Sequence, residues 1–298
     1  MTTAVLNESF NVENRHDDLA DKIGKKRLPP SNSNRSSTKK PPAAVFTSTK
    51  QSMSYVTVKA IESDTSTIER DWPLFVEREL MENASDFLEV HYPNSGKQDR
   101  LVVVSVYVGR WATADGTIND LDDPPQLQIT VRNSNIKNIQ VFQNLEATFD
   151  FSQWYSSKRN QHRMTGGYLG DALKRILGMG YASMSRIDPG DSFEEKQWNQ
   201  PLTLRFNDKE YQVFILVNKA KQEITSEIRG PFKIAEGHSE RCQGCIEVQA
   251  MLPLLRNQPV GYSKELFAKL WNYFKIYKIA KSCNTDFRFE GSDVTGEF

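Results

Sequence analysis

Two runs, "RLVVVSVYVGR" and "LQITVRN", alternate side chain by side chain and are rich in Val, Ile and Thr. A period of two in β-branched residues is the signature of strands. They lie among stretches of a different period. "DWPLFVERELMENASDFLEVH" predicts a helix over about 71–91, with Asp71 as its cap and Pro73 tolerated in the first turn. "DALKRILGMGYASM" predicts a second helix and "SKELFAKLWNYFKIYKIAKS" a third, whose Leu266, Leu270, Phe274 and Tyr277 share one stripe. Further strands are expected at "LTLRFN", "YQVFILVNKAK", "ITSEI", "CIEVQAML" and "DFRFE". Helices and strands are interleaved, but without the regular alternation of a doubly wound sheet. A two-layer α/β sandwich with a mixed sheet follows.

Residues 1–45 read differently. "KIGKKRLPPSNSNRSSTKKPP" is rich in Lys, Arg, Pro, Ser and Asn and nearly free of large apolar side chains. Such a segment buries too little surface to offset its ordering entropy, so a disordered basic tail is expected there, with the globular domain over 46–298. Lys25, Lys26, Arg27, Lys39 and Lys40 suit phosphate or acidic contacts, or a solvated linker.

The formal net charge is zero, which argues against a generic polyanion binder. Three cysteines are too few and of the wrong parity for a secreted disulfide framework. No apolar run approaches the roughly 20 residues that span a bilayer, and the first residues lack a signal-peptide pattern. The expectation is a soluble cytoplasmic protein with no membrane partner.

The first helix carries the most informative pattern. At about 100° per residue, Val76, Leu80, Ala84, Phe87 and Leu88 form its core face. Arg78, Glu82, Ser85 and Glu89 fall opposite, as a solvated side. Glu79, Asn83 and Asp86, spaced four and then three, stack along one flank. A carboxylate there can orient a water, and an amide oxygen can ligate a hard cation such as Mg²⁺. "MTGGYLGDALKRI" sets Gly166, Gly167 and Gly170 before the second helix, where backbone N–H groups can receive phosphate oxygens. Lys158, Arg159 and Arg163 just upstream suit a flap over an anion, or an exposed loop.

In this order, "ELMENASD" at Glu79–Asp86, the strand ending near "ITVRNSN" and the glycine-rich segment with its helix resemble the Bergerat (GHKL) ATP-binding fold. Gyrase B subunits, MutL, the ninety-kilodalton heat-shock chaperones and histidine kinases share this fold. The pattern is most similar to the ATPase domain of the topoisomerase VI B subunit, over about residues 55–290. The resemblance implies ATP and Mg²⁺ as cofactors and a slow ATPase acting as a conformational switch. Glu79 looks like the general base, Asn83 like the Mg²⁺ ligand, and Asp86 like a support on the nucleotide side. Gly166, Gly167 and Gly170, with Lys158, would meet the phosphates. The partners it implies are a homodimer, and a topoisomerase A-like subunit or DNA. The alternative is a degenerate, non-hydrolysing fold that senses nucleotide or binds protein.

The sequence departs from that family in three places. Asn133 stands where an Asp normally accepts from the adenine amino group; an Asn carbonyl can still accept. Asn135 and Lys137 replace the glycines that follow, and Gly244-Cys245 stands where Gly-Thr is usual. Topoisomerase B subunits also continue into a transducer domain, which this sequence does not show. The expectation is a stand-alone switch, unless the chain is a fragment.

The sequence bears on two other readings. His238, Cys242, Cys245 and Cys283 have spacings compatible with zinc, although Cys245 also fits an inward strand position. A histidine-kinase role lacks a dimerisation helix bearing a phosphoacceptor; His16, His91, His162 and His238 read as exposed or capping groups. Trp111, Trp154, Trp198 and Trp271 read as packing residues rather than base-stacking platforms.

Overall fold

The structure, a computed structural model, describes residues 44–47, 52–91, 100–109, 126–133, 145–156, 171–187, 200–206, 208–234, 245–254, 262–281 and 285–293. All lie in the compact unit Pro42–Phe298, so the 1–45 tail lies outside the described residues apart from its last two positions.

Strands β2 (Leu101–Gly109), β3 (Gln126–Asn133), β5 (Leu202–Phe206), β6 (Lys209–Asn218), β7 (Glu223–Lys233), β8 (Ile246–Pro253) and β9 (Asp286–Asp293) form one seven-stranded sheet in the order β7-β6-β5-β8-β3-β2-β9. Every neighbouring pair is antiparallel except β2 and β9, which are parallel, so the sheet is mixed. A separate ribbon joins β1 (Ala44–Thr47) to β4 (Gln153–Ser156). Sequence periodicity did not identify this ribbon, because four residues per strand are too few to show a period.

The alternation seen in the sequence becomes two unlike faces. Val104, Val106 and Val108 lie opposite Val131, Ile129 and Leu127, and all are buried. Leu204, Val213 and Ala250 continue this apolar face. The other face is largely polar at the sheet centre. There Arg205 reaches Glu210 at 2.7 Å and Glu247 at 2.5 Å, and donates to Gln249 Oε1 at 3.0 Å. A sheet with one apolar face needs cover on that face alone.

The cover is α-helical: α1 (Val58–Thr65), α2 (Trp72–His91), α3 (Leu145–Thr148), α4 (Ala172–Ile187) and α5 (Tyr262–Lys281). Helix α2 packs on β2, β3 and β8, α4 on β6 and β8, and α5 on β9 and α2. One hydrophobic cluster runs through Trp72, Val76, Leu80, Ile176, Leu270 and the inner sheet face. The architecture is therefore α/β, with helices layered on a mixed sheet, as the interleaved pattern predicted. Helix α4 passes very close to the 3-10 turn Ser52–Tyr55. A Cβ on Gly178 would lie 1.8 Å from the Tyr55 carbonyl oxygen, so only glycine permits that crossing.

Candidate functional site

Helix α2 starts without the predicted Asp71 cap. Asp71 instead closes a 3-10 turn, Glu69–Asp71, that leads directly into Trp72. Pro73 occupies the first turn, where its missing N–H has no cost. The Trp72 indole is buried and donates to the Thr67 carbonyl at 3.2 Å, fixing the helix entry.

The predicted flank is more deeply placed than a margin. Glu79 is 7% exposed and Asp86 1%, while Asn83 is half-buried. The reason is that α2 packs on the sheet and also against α4 and α5, so most of its circumference is covered. The expectation of a solvated side through Arg78, Glu82, Ser85 and Glu89 is corrected. Ser85 is fully buried, and the other three are half-buried. The Ser85 hydroxyl donates to the Glu82 carbonyl at 3.2 Å, which leaves the Tyr277 hydroxyl of α5 to donate to Ser85 Oγ at 3.1 Å. Periodicity within α2 could not reveal this, because the second covering layer comes from residues nearly two hundred positions away.

Two contacts organise the acidic stripe. Arg78 donates from Nη2 to Glu79 Oε1 at 3.0 Å, and its guanidinium lies 5.0 Å from the Phe75 ring centroid. Asn133, the last residue of β3 and 3% exposed, donates from Nδ2 to the Ala84 carbonyl at 3.2 Å. Ala84 sits between Asn83 and Asp86, so this bond ties the end of β3 to the turn of α2 that carries both. In register, Asn133 lies opposite Ile246, which follows buried Cys245. The structure thus brings Asn133 to the stretch of α2 around Asn83 and Asp86, and sets Cys245–Ile246 beside it at the same end of the sheet.

The glycine-rich half of the prediction, Gly166, Gly167 and Gly170 with Lys158, lies outside the described residues, as do Arg159 and Arg163. The elements on either side of it are described. Lys174, in the first turn of α4, is fully buried. Its Nζ donates to the carbonyls of Asp150, at 2.5 Å, and of Gln153. One ammonium therefore fastens the start of α4 to the start of β4, the strand that precedes residues 157–170. Burial lowers the Lys174 pKa to about 8, against the opposing attraction of Asp150 and Asp171. Beside it, Arg175 pairs with Asp171 at 2.7 Å and with Asp64 of α1 at 3.0 Å.

Sequence reasoning also missed Glu77. It is fully buried, and neither carboxylate oxygen has a hydrogen-bond partner among the described residues. Burial raises its pKa to about 9, so it carries a proton at neutral pH. A signal was present: at 100° per residue, Glu77 projects between Ala84 and Leu88, on the core face. Tyr273 of α5 is raised to about 12, first by burial and then by Glu82, with smaller contributions from Glu77 and Glu79. The tyrosines of α5 therefore face the acids of α2.

No group of three or more His, Cys, Asp or Glu side chains suited to a metal occurs among the described residues. Of the zinc candidates, Cys245 is buried beside Ile234, and His238, Cys242 and Cys283 lie outside the described residues. No described helix is long and apolar enough to cross a membrane.

Compared with known proteins, the chain matches no family model, no curated protein and no solved structure.

Proposed function

We propose that this protein binds ATP with Mg²⁺ in a Bergerat-type site and hydrolyses it slowly, as a conformational switch. The observation that carries the reading is the bond from Asn133 to the Ala84 carbonyl, which gathers a strand-end amide and the Glu79–Asn83–Asp86 stripe. Those groups are far apart along the chain and chemically suited to a nucleotide. In this reading Asn133 accepts from the base, Asn83 ligates Mg²⁺, and Asp86 supports the nucleotide side of the helix. Glu79 orients the attacking water, and Lys158 with the backbone at Gly166, Gly167 and Gly170 meets the phosphates. Held by Asn83, Mg²⁺ would supply neutralisation of the charge that develops on the transferred phosphate. Phosphoryl transfer asks little covalent chemistry of the protein, so positioning by this set suffices.

The Arg78–Glu79 contact favours a second reading, a nucleotide-binding module without turnover. Arg78 occupies Glu79 Oε1, so the guanidinium must move before that oxygen can orient a water.

Calorimetric titration of the whole chain with ATP, with and without Mg²⁺, tests the site. Binding that strengthens with Mg²⁺ and weakens in Asn83→Ala is the expected result. Glu79→Ala should keep the affinity and lose phosphate release. Absence of any heat with Mg²⁺ present rejects both readings, whereas wild-type binding without phosphate release selects the second. A homodimer, and a topoisomerase A-like subunit or DNA, belong to the same proposal; sedimentation with and without ATP tests the first.

A further inference from the structure

Helix α5 carries five lysines and one glutamate in a chain of zero formal net charge. The single acid is engaged within the helix, with Lys269 Nζ 3.2 Å from Glu265. The inner stripe, Leu266, Leu270, Phe274 and Tyr277, is buried against the core, as the sequence predicted. The outer face divides into two rows. Lys264, Trp271, Lys275 and Lys278, spaced seven, four and three, align along one. All three lysines are exposed, and the Lys275 ammonium lies 5.5 Å from the Trp271 ring centroid. Ala268, Asn272, Ile276 and Ile279 align along the other, and the two isoleucines are 68% and 76% exposed.

A single exposed isoleucine is ordinary. Two on neighbouring turns, bordered by a lysine row that α5 does not balance, define a chemistry for what covers them. We propose that the outer face of α5 docks an acidic amphipathic helix from a protein partner. Its apolar stripe would cover Ile276 and Ile279, and its carboxylates would face Lys264, Lys275 and Lys278. Duplex nucleic acid would engage the lysines and leave the isoleucines in water. A second copy of α5 would set lysine against lysine. An anionic bilayer would gain only two aliphatic side chains, too little for stable interfacial anchoring. Only an acidic, apolar-striped helix satisfies both rows at once.

The test uses the full chain and a fluorescein-labelled synthetic helix of about four heptads, with Leu and Ala on one stripe and Glu flanking it. Anisotropy should report binding that weakens as salt rises. The double variant Ile276→Asp, Ile279→Asp should weaken it by about tenfold or more, an effect of the size of one buried hot spot. Lys275→Glu with Lys278→Glu should weaken it similarly and gain affinity for the same peptide carrying Lys in place of Glu. These positions are exposed, so thermal melting by circular dichroism should match wild type in both variants. The proposal is overturned if the Glu peptide fails to bind, or binds the isoleucine variant unchanged. It is equally overturned if only a DNA duplex or phosphatidylserine vesicles bind through these residues.

Discussion

Helices α2 and α5 have the same length, twenty residues, and touch one another, yet they divide polar and apolar side chains in opposite ways. Helix α2 takes Glu77, Glu79 and Asp86 into the protein. Helix α5 keeps Lys264, Lys275 and Lys278 outside and leaves two isoleucines in water. The difference follows from position. The sheet, α4 and α5 all pack on α2, so its buried charges must be neutralised, paired or protonated in place. Helix α5 packs on β9 and α2 through one stripe, and its opposite face is exposed.

The contrast can be broken most severely from inside. Leu270 of α5 is fully buried, and Leu270→Ala should cost about 2–5 kcal/mol through lost transfer energy and an unfilled cavity, read from chemical denaturation. The next effect comes from Glu77. Its folded pKa, about 9, lies above the ordinary carboxyl value of 4.5, so the native state holds a proton that the unfolded chain has released. Its contribution to stability is fully present below about pH 4.5 and is lost as pH rises toward about 9. Between about pH 5 and pH 8 the loss should be on the order of 4 kcal/mol. Glu77→Gln should flatten that slope, which urea midpoints across the interval will show; an unchanged slope would mean the carboxylate is ionised and solvated. A smaller effect is expected where the two helices meet. Tyr277→Phe leaves the buried Ser85 hydroxyl with one bond fewer and should cost about 1 kcal/mol. Adding Ser85→Ala should cost less than the sum of the single changes, as a thermodynamic cycle can measure. Least of all, Ile276→Ser should shift stability by less than about 0.5 kcal/mol, because the side chain already faces water.

Much of the fold was legible in the chain. The long helices fall where the 3.6-residue period placed them: α2 begins within a residue of its predicted start, and the α5 stripe is buried as read. Strands β2, β3, β5, β6, β8 and β9 match their alternating or apolar runs to within a few residues. Short elements were not legible. Helix α1 and the β1–β4 ribbon depend on tertiary contacts rather than on a period of their own. For the site, the Glu79–Asn83–Asp86 stripe was readable as spacing, whereas its depth was not. The Asn133–Ala84 bond was equally hidden, since no local pattern announces which carbonyl a strand-end amide will meet. Lys174 read as one more polar residue of an amphipathic helix. Its burial on two backbone carbonyls is fixed by the turn at Asp150–Gln153, 21 to 24 residues upstream.

By itself the sequence determined the periods, and hence which side chains share a face of each helix and strand. That is a local property, set by backbone geometry and independent of neighbours. Only the tertiary structure decided how many faces each helix must bury: two for α2, one for α5. Burial depends on what packs from elsewhere in the chain, and the same carboxylate is a solvated charge or a protonated core group according to that layer alone.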